Sequence, residues 1–273
     1  MKIEFSRIIC AALAVLLIGC SSEMGAEAEQ QPPNVLLIVA DDLGYTDLGA
    51  FGGEIATPNL DRLAMSGTRF TNFHAGPSCA PTRAMLLTGT DNHLAGMGSQ
   101  SGLATEQQKL SRNYQNRLRA DVPTIAEAMA DLGYHVVASA KWHLGDDDAL
   151  PSERGFAKSF VLMPGGAGHF DDTPLFEHYL ADWREDGNPF QLPETFYTTD
   201  LMTDKLLSYI DAGSVDQPFF AYLGYTAPHW PLQAPETSTA KYADQYQDGW
   251  DLLREQRLAG AQRSGVVDAS AQA

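Results

Sequence analysis

The sequence has few basic residues for its size, and it lacks internal repeats and low-complexity blocks. Its 273 residues include 18 Lys and Arg against 35 Asp and Glu, so the formal net charge is −17. A surface this negative repels a phosphate backbone, and we therefore expect no nucleic-acid partner. The absence of repeats excludes solenoid and fibrous proteins. The hydrophobic share of 44% indicates instead a globular chain with a sizeable core.

Long apolar runs are missing as well. The apolar stretch near the N-terminus covers residues 8–18, which is too short for a permanent membrane-spanning helix. Lys2 and Arg7 precede it, as in the positive region of a signal peptide. The stretch ends in the sequence LIGC at residues 17–20, which resembles the cleavage box of bacterial lipoproteins.

This resemblance implies that residues 1–19 are a signal peptide and that lipid on Cys20 anchors the mature chain to a membrane. Residues 20–33 are small, acidic and end in proline, which favours a flexible tether. Ser21 and Ser22 favour the outer membrane, so we expect the periplasmic side of a bacterial cell envelope. A plain secreted protein is the alternative.

Cysteine is scarce, and its positions are informative. Of the three cysteines, Cys10 would leave with the signal peptide and Cys20 would carry lipid. Cys79 then remains as the single thiol of the folded body. Oxidising compartments favour paired cysteines, so a lone thiol there indicates either a functional group or a small buried side chain.

Apolar runs alternate with helix-forming segments along the chain. Residues 35–40 are continuously apolar, which is typical of a strand buried on both faces. Thr57 and Pro58 supply the start of a helix that Gly67 ends. The alternation predicts an α/β fold with a mostly parallel central sheet flanked by helices. The predicted strands are residues 35–40, 134–138, 159–163 and 219–225, and the predicted helices are residues 58–66, 79–89, 123–132 and 199–210.

Three of the predicted strands are followed directly by polar residues suited to a binding site. In open parallel sheets, ligands bind beyond the carboxyl ends of the strands. We therefore expect the side chains that follow these strands to meet at one edge of the sheet: Asp41, Asp42, Lys141, His143 and His229.

The adjacent carboxylates Asp41 and Asp42 stand where Gly44 allows the backbone to turn. Two hard oxygen ligands favour Ca²⁺ or Mg²⁺ over metals that prefer thiolates. A polar loop or a helix cap is the alternative interpretation of this pair.

Cys79 and Arg83 stand at the predicted start of a helix, with Pro81 in its first turn. The N-terminus of a helix favours an anion, and a residue four positions on shares the same face. Arg83 would thus offer a planar fork of donors to a tetrahedral oxyanion. A buried thiol and a surface arginine are the alternative.

Five short motifs stand in order along the chain: NVLLIVADDLG at 34–44, TPNLD at 57–61, CAPTR at 79–83 with LLTG at 86–89, KWHLG at 141–145 and APHWP at 227–231. Together they resemble the formylglycine-dependent (type I) sulfatases of the alkaline phosphatase superfamily, most closely the bacterial arylsulfatases. The resemblance runs from about residue 34 to residue 250.

The resemblance implies that a formylglycine-generating maturation enzyme oxidises Cys79 to formylglycine, an aldehyde that is hydrated at rest. One hydroxyl of the hydrate would attack the sulfur of a small-molecule sulfate ester, and the alcohol would leave. The second hydroxyl would then lose its proton, so that sulfate is expelled and the aldehyde returns. Ca²⁺, or Mg²⁺ in its place, would be held by Asp41, Asp42 and the modified Cys79 side chain.

The resemblance also implies roles for the remaining matched residues. Arg83 would hold the formylglycine hydroxyl and offset developing charge. His143 would be the base that takes the hemiacetal proton, because imidazole titrates near working pH. Lys141 and His229 would bind sulfate oxygens, and His229 would be placed to protonate the leaving oxygen.

Other polar residues are interpreted as structural. The family's Asp-Asn metal pair follows a later strand, so we do not assign that role to Asp91 and Asn92. His74 is close to Cys79 in sequence but fits a satisfied loop histidine better. The other histidines interpreted as structural or surface groups are His93, His135, His169 and His178.

The resemblance stops before the family's later metal ligands, its second active-site lysine and its C-terminal small-sheet domain. We therefore expect residues 34–250 to be the N-terminal part of a sulfatase catalytic domain and residues 251–273 to be a truncated tail, with the C-terminal part of the fold missing. An amphipathic segment covers residues 250–258. Without the later metal ligands, the cation site would be weaker, and core surface that the missing strands would cover would be exposed. We therefore expect this chain alone to have little activity.

Two other functions stay open at this stage. A phosphonate or phosphate-ester hydrolase of the same superfamily would share the cysteine motif and the metal site. A non-catalytic envelope lipoprotein would keep the fold as a binding module, and an unconverted thiol at Cys79 would favour it.

Overall fold

The computed structural model describes residues 31–100, 102–147, 149–177 and 180–272. The predicted signal peptide, Cys20, the predicted tether as far as residue 30 and His178 lie outside the described residues. Asn34–Ala273 forms one compact unit. Within the described ranges, no helix combines the length and the apolarity needed to cross a membrane.

Among the described residues, six strands form one sheet: β1 (Val35–Val39), β2 (His135–Lys141), β3 (Lys158–Leu162), β4 (Trp183–Glu185), β5 (Asn188–Pro189) and β6 (Phe219–Gly224). Their order across the sheet is β1-β6-β2-β3-β4-β5. β1, β6, β2 and β3 run parallel, whereas β4 and β5 pair antiparallel at the far edge. The predicted α/β architecture with a mostly parallel central sheet is confirmed.

Local sequence signals set the helix ends. Pro58 occupies the first turn of its helix, and Gly67 ends it. Thr124 and Glu127 form a capping box at the start of another helix. Gly89 ends a third helix in the left-handed conformation, with φ 62°. The helices are α1 (Pro58–Ser66), α2 (Cys79–Thr88), α3 (Glu106–Lys109), α4 (Ile125–Asp131), α5 (Thr198–Asp211), α6 (Glu236–Thr239) and α7 (Gly249–Arg263).

Helices cover both faces of the sheet, and alternate strand residues build two cores. On one face, side chains of α2 and α4 pack with Val136, Ala138, Phe220 and Tyr222. On the other face, α5 packs with the neighbouring strand positions, such as Val137. The period of two along each strand thus sends successive side chains into different cores.

The expectation that β1 is buried on both faces is wrong. Leu36 and Ile38 are 51% and 45% exposed, whereas Val35, Leu37 and Val39 pack against the core under α2. β1 is the edge strand of the sheet. Leu36 pairs in register with Ala221 of β6, whose side chain belongs to the core beneath α5. Leu36 therefore lies on the same face of the sheet as α5 but remains exposed. An apolar run therefore indicated a strand here, but not which of its faces is covered.

Several element ends differ from those predicted. β2 extends to Lys141 instead of ending at Ala138, so Lys141 is the last residue of the strand. The insertions at 100–120 and 165–195, for which the pattern predicts no element, contain α3, β4 and β5. α7 continues beyond the amphipathic segment predicted at 250–258. Its Gly260 packs closely against Gly52, because a Cβ atom on Gly260 would lie 2.2 Å from the backbone oxygen of Gly52.

Candidate active site

The carboxyl ends of three adjacent strands bring the predicted site residues to one edge of the sheet. β6 lies between β1 and β2, so the segments that follow these strands are neighbours. The backbone N–H of Asp41 donates to the carbonyl of Ala227 at 3.1 Å, which ties the segment after β1 to the segment after β6. The convergence expected from the parallel sheet is what the structure has.

Cys79 is the first residue of α2 and faces His143. Its Sγ atom lies 3.3 Å from Nδ1 of His143. The side-chain oxygen of Gln100 lies 3.9 Å from the same sulfur and accepts a hydrogen bond from the hydroxyl of Ser78 at 2.6 Å. Among the described residues Cys79 is a free, half-buried thiol. A nucleophile precursor at a helix N-terminus thus stands beside an imidazole.

His143 is held uncharged by its surroundings. Burial lowers its pKa to about 3, and the positive charges of Lys141 and Arg83 contribute to the same shift. Its backbone has a φ of 55°, a conformation that few residues other than glycine adopt. A Cβ atom on Gly165 would lie 2.6 Å from the imidazole Cε1, so only glycine leaves space for the ring at this position.

A buried charge cluster lies directly behind the cysteine. The Lys141 ammonium group contacts the Asp41 carboxylate, and the Arg83 guanidinium lies 3.5 Å from the same carboxylate. Arg83 also donates to the Lys141 carbonyl and to the Tyr222 hydroxyl, both at 2.9 Å. All three charged residues are buried. Asp41 is the most exposed of them, with 4% of its surface accessible to solvent. Such a cluster is stable only with its partners in place.

Asp42 is far more exposed than Asp41. Its side chain is 64% exposed, and its backbone has a φ of 63°. The Nε2 atom of His229 lies 3.6 Å from the Asp42 carboxylate, and Nδ1 lies 2.5 Å from the Trp230 carbonyl. The segment after β6 therefore brings an imidazole to the outer side of the acidic pair.

The acidic pair fits a divalent cation only in part. Asp41 and Asp42 supply hard carboxylate oxygens of the kind that Ca²⁺ and Mg²⁺ prefer. Within the part of the chain that the structure describes, no group of three or more His, Cys, Asp or Glu side chains is arranged to hold a metal ion. Lys141 and Arg83 meanwhile neutralise Asp41. The described residues thus offer two ligands and not a complete set.

A small cavity opens onto both imidazoles. It has a volume of about 140 Å³, and its walls include His143, His229, Gln100 and Trp230. The space is therefore bounded in part by hydrogen-bonding groups, and two of its wall residues, Gln100 and His143, contact the Cys79 sulfur.

Sequence reasoning missed three residues of this site. Tyr222 and Gln100 have no local signal, because their roles arise only from contacts with Arg83 and Ser78. Gly165 stands in a Pro-Gly-Gly stretch after β3, a signal that indicates a turn but not a close approach to an imidazole. Their contributions depend on tertiary packing.

The other histidines make local or structural contacts. His74 Nε2 lies 2.8 Å from the Asn72 side chain, and His93 Nδ1 lies 3.2 Å from Asp91 in the same turn. His169 is buried, with Nε2 3.1 Å from the His229 carbonyl. It therefore contacts the segment that carries His229, which the sequence did not indicate.

Comparison with known proteins gives the class to which this fold and site belong. The sulfatase family model matches residues 33–270, and the chain belongs to the sulfatase family, a family of sulfuric ester hydrolases. The resemblance carried by the five motifs is thus confirmed. Sulfatases in general use a formylglycine residue and a divalent metal.

Individual relatives agree with this assignment. The arylsulfatase of Klebsiella aerogenes is 40% identical over 267 residues, which cover 96% of this chain and 56% of that protein. An uncharacterized sulfatase of Schizosaccharomyces pombe is 41% identical over 253 residues, which cover 88% of this chain and 46% of that protein. The chain therefore spans about half the length of these curated relatives.

Solved structures share the fold. The crystal structure of Ps i-CgsB in complex with k-i-k-neocarrahexaose matches with a TM-score of 0.67 at 33% identity, covering 86% of this chain and 53% of that chain. The coverage again amounts to about half of the longer protein.

Proposed function

We propose that this chain carries the nucleophile and base of a sulfatase that hydrolyses small-molecule sulfate monoesters to an alcohol and sulfate. The observation that carries the proposal is the 3.3 Å separation between the Cys79 sulfur and Nδ1 of an uncharged His143. An imidazole within reach of a nucleophilic position is the arrangement that proton transfer in covalent catalysis requires.

A formylglycine at position 79 would supply two geminal hydroxyls, one to attack sulfur and one to allow sulfate to be released. Its formation requires a maturation enzyme that oxidises the Cys79 thiol. Cys79 is half-buried, and the contacts of its sulfur are with the side chains of Gln100 and His143, so this side chain can change without breaking α2.

The residues around position 79 would each handle charge or protons. His143 is placed to accept a proton from a hydroxyl at position 79. Its pKa, which burial lowers to about 3, makes it a weaker base than the titration near working pH that the sequence predicts. His229 stands across the small cavity and can bind a sulfate oxygen or donate to the leaving oxygen. Arg83 and Lys141 add positive charge from beneath, where burial strengthens their field.

Asp41 and Asp42 would hold the divalent cation, Ca²⁺ or Mg²⁺, which would polarise sulfate oxygens when bound. These two carboxylates form only part of a ligand set, so we propose that the cation binds weakly to this chain. Turnover by the chain alone is then slow.

We further propose that the chain resides on the periplasmic side of a bacterial envelope, anchored by lipid on Cys20. The support is the LIGC sequence at residues 17–20 after an apolar stretch. Labelling of the expressed chain with a radioactive fatty acid, compared with Cys20→Ser, would test the anchor.

The substrate class can be tested with three chromogenic esters that share one leaving group. The chain, expressed with a formylglycine-generating enzyme and supplied with Ca²⁺, is assayed with p-nitrophenyl sulfate, p-nitrophenyl phosphate and a p-nitrophenyl phosphonate. We expect kcat/KM to be highest for the sulfate and to be abolished in Cys79→Ala. A higher value for the phosphate or the phosphonate would instead assign the site to the related phosphorus esters.

A further inference from the structure

A second and larger cavity adjoins the candidate site. It has a volume of about 520 Å³, and His143, Pro164 and Gly165 form part of its wall. The same three residues also line the small cavity beside the Cys79 sulfur. A molecule bound with one end at Cys79 therefore has a neighbouring space into which its other end can extend.

The walls of this cavity are held by backbone hydrogen bonds. The Leu118 N–H donates to the Leu144 carbonyl at 2.8 Å, and the Gln115 N–H donates to the Gly96 carbonyl at 2.8 Å. Gly145 has a φ of 128°, and a Cβ atom there would lie 2.8 Å from the Cβ atom of Arg117. The two loops that form the cavity are thus packed in direct contact, and the cavity is preformed.

The side chains that line the cavity are rich in hydrogen-bonding groups. Gln115, Asn116, Arg117 and Asp146 are polar, and no Phe, Tyr or Trp among the described residues lines it. The side-chain oxygen of Asn116 is buried and has no hydrogen-bond partner in the described part of the chain. The lining therefore offers several polar groups with which a ligand can form hydrogen bonds.

We propose that this cavity binds the alcohol part of the sulfate ester and that the alcohol is a sugar. The inference rests on the proposed function, because it assumes that the sulfate group lies beside Cys79. Binding sites for small molecules typically have volumes of about 300 to 1,000 Å³. The larger cavity falls in this range, whereas the small one at 140 Å³ has space for the sulfate group alone.

The chemistry of the lining selects between a sugar and an aryl group. Sugar hydroxyls both donate and accept, so they can satisfy amide and charged side chains such as Gln115 and Asp146 at once. An aryl ring has no hydroxyl groups with which to donate to or accept from these side chains, so it would gain nothing from the polar part of the wall. The leaving group that fits is therefore a hydroxylated ring.

Binding measurements on the full chain can test this inference apart from turnover. Dissociation constants are measured by calorimetry for galactose 6-sulfate, glucose 6-sulfate and p-nitrophenyl sulfate. We expect at least one sugar sulfate to bind more tightly than the aryl sulfate. Gln115→Leu should weaken that sugar sulfate by about fivefold, as expected for one lost hydrogen bond, and change the aryl sulfate by less than about twofold.

Two further variants separate the possible outcomes. Gln107→Leu makes the same change on the exposed surface of α3 and should alter neither constant. His229→Ala should weaken all three ligands, because it acts on the shared sulfate group. If all three bind equally and Gln115→Leu has no effect, the sugar cavity is wrong. If none binds, or if His229→Ala changes none, the proposed function itself fails.

Discussion

The ammonium group of Lys141 contacts the carboxylate of Asp41 where β2 and β1 end, on either side of β6. Arg83 lies 3.5 Å from the same carboxylate, so one buried carboxylate is shared by two buried cationic groups. Asp42, the next residue, is exposed and takes no part in this cluster. Two adjacent carboxylates thus have different surroundings, and their substitutions should have different effects.

Asp41→Asn should destabilise the fold, whereas Asp42→Asn should not. Removal of the Asp41 charge leaves Lys141 and Arg83 buried without their counterion, at an expected cost of about 3–5 kcal/mol. Asp42→Asn should change the free energy of unfolding by less than about 0.5 kcal/mol. Urea denaturation measures both, and calorimetric titration with Ca²⁺ should give weaker binding for each. Equal stability of the two variants would contradict the cluster.

Tyr222→Phe should weaken the support of Arg83. The variant removes the hydroxyl that accepts a hydrogen bond from Arg83 and leaves a charged donor buried without that partner. The expected loss in the free energy of unfolding is about 1–3 kcal/mol. Tyr225→Phe is a matched control, since it removes a hydroxyl paired with the neutral Thr203 in a half-buried position. A loss no larger than that of the control would mean that Tyr222 does not support the guanidinium.

The docking of α7 should depend on pH through Glu54. Arg257 donates to both Glu54 oxygens, at 2.8 and 2.7 Å, and these hydrogen bonds hold the pKa of Glu54 below its ordinary 4.5 although burial opposes the shift. A lowered carboxyl pKa stabilises the folded state above the unfolded pKa, and this contribution is lost as the pH falls through the folded pKa.

Glu54→Gln should therefore be less stable than the natural chain at pH 7, by about 1 kcal/mol for this partly buried pair. The difference should shrink as the pH falls below 4.5. Thermal melting of both proteins from pH 7 to pH 3 provides the comparison. A difference that grows on acidification would contradict the assigned sign.

Gly260→Ala should destabilise the fold in spite of its better helix propensity. Alanine inside a helix gains about 1 kcal/mol over glycine. A Cβ atom at this position would however lie 2.2 Å from the Gly52 oxygen, so α7 must move away from the segment after β1. We expect a net loss of about 1–3 kcal/mol in urea denaturation. A gain in stability would show that α7 docks elsewhere.

The sequence predicted the site mainly through one property of parallel sheets. Asp41, His143 and His229 are far apart in the chain, but each follows a strand, and the carboxyl ends of parallel strands share an edge. The helix starting at Cys79 was also predictable, because Pro81 and Gly89 mark its first turn and its end. These signals are local and depend little on the rest of the fold.

Other features arise only from tertiary contacts. Arg83 is four residues from Cys79 and was expected at an oxyanion, yet its guanidinium contacts Lys141, Tyr222 and Asp41. Whether it also reaches a bound oxyanion stays a prediction. The exposed face of β1 could not be predicted either, because an apolar run carries no information about which helix covers it.

The chemical state of residue 79 shows directly whether Cys79 is the precursor of the nucleophile. The chain is produced in a host with a formylglycine-generating enzyme, and the tryptic peptide from Phe70 to Arg83 is analysed by mass spectrometry after treatment with a hydrazide and with iodoacetamide. We expect an aldehyde that reacts with the hydrazide. A peptide that is fully alkylated at an intact thiol would contradict the assignment of Cys79 as the nucleophile precursor.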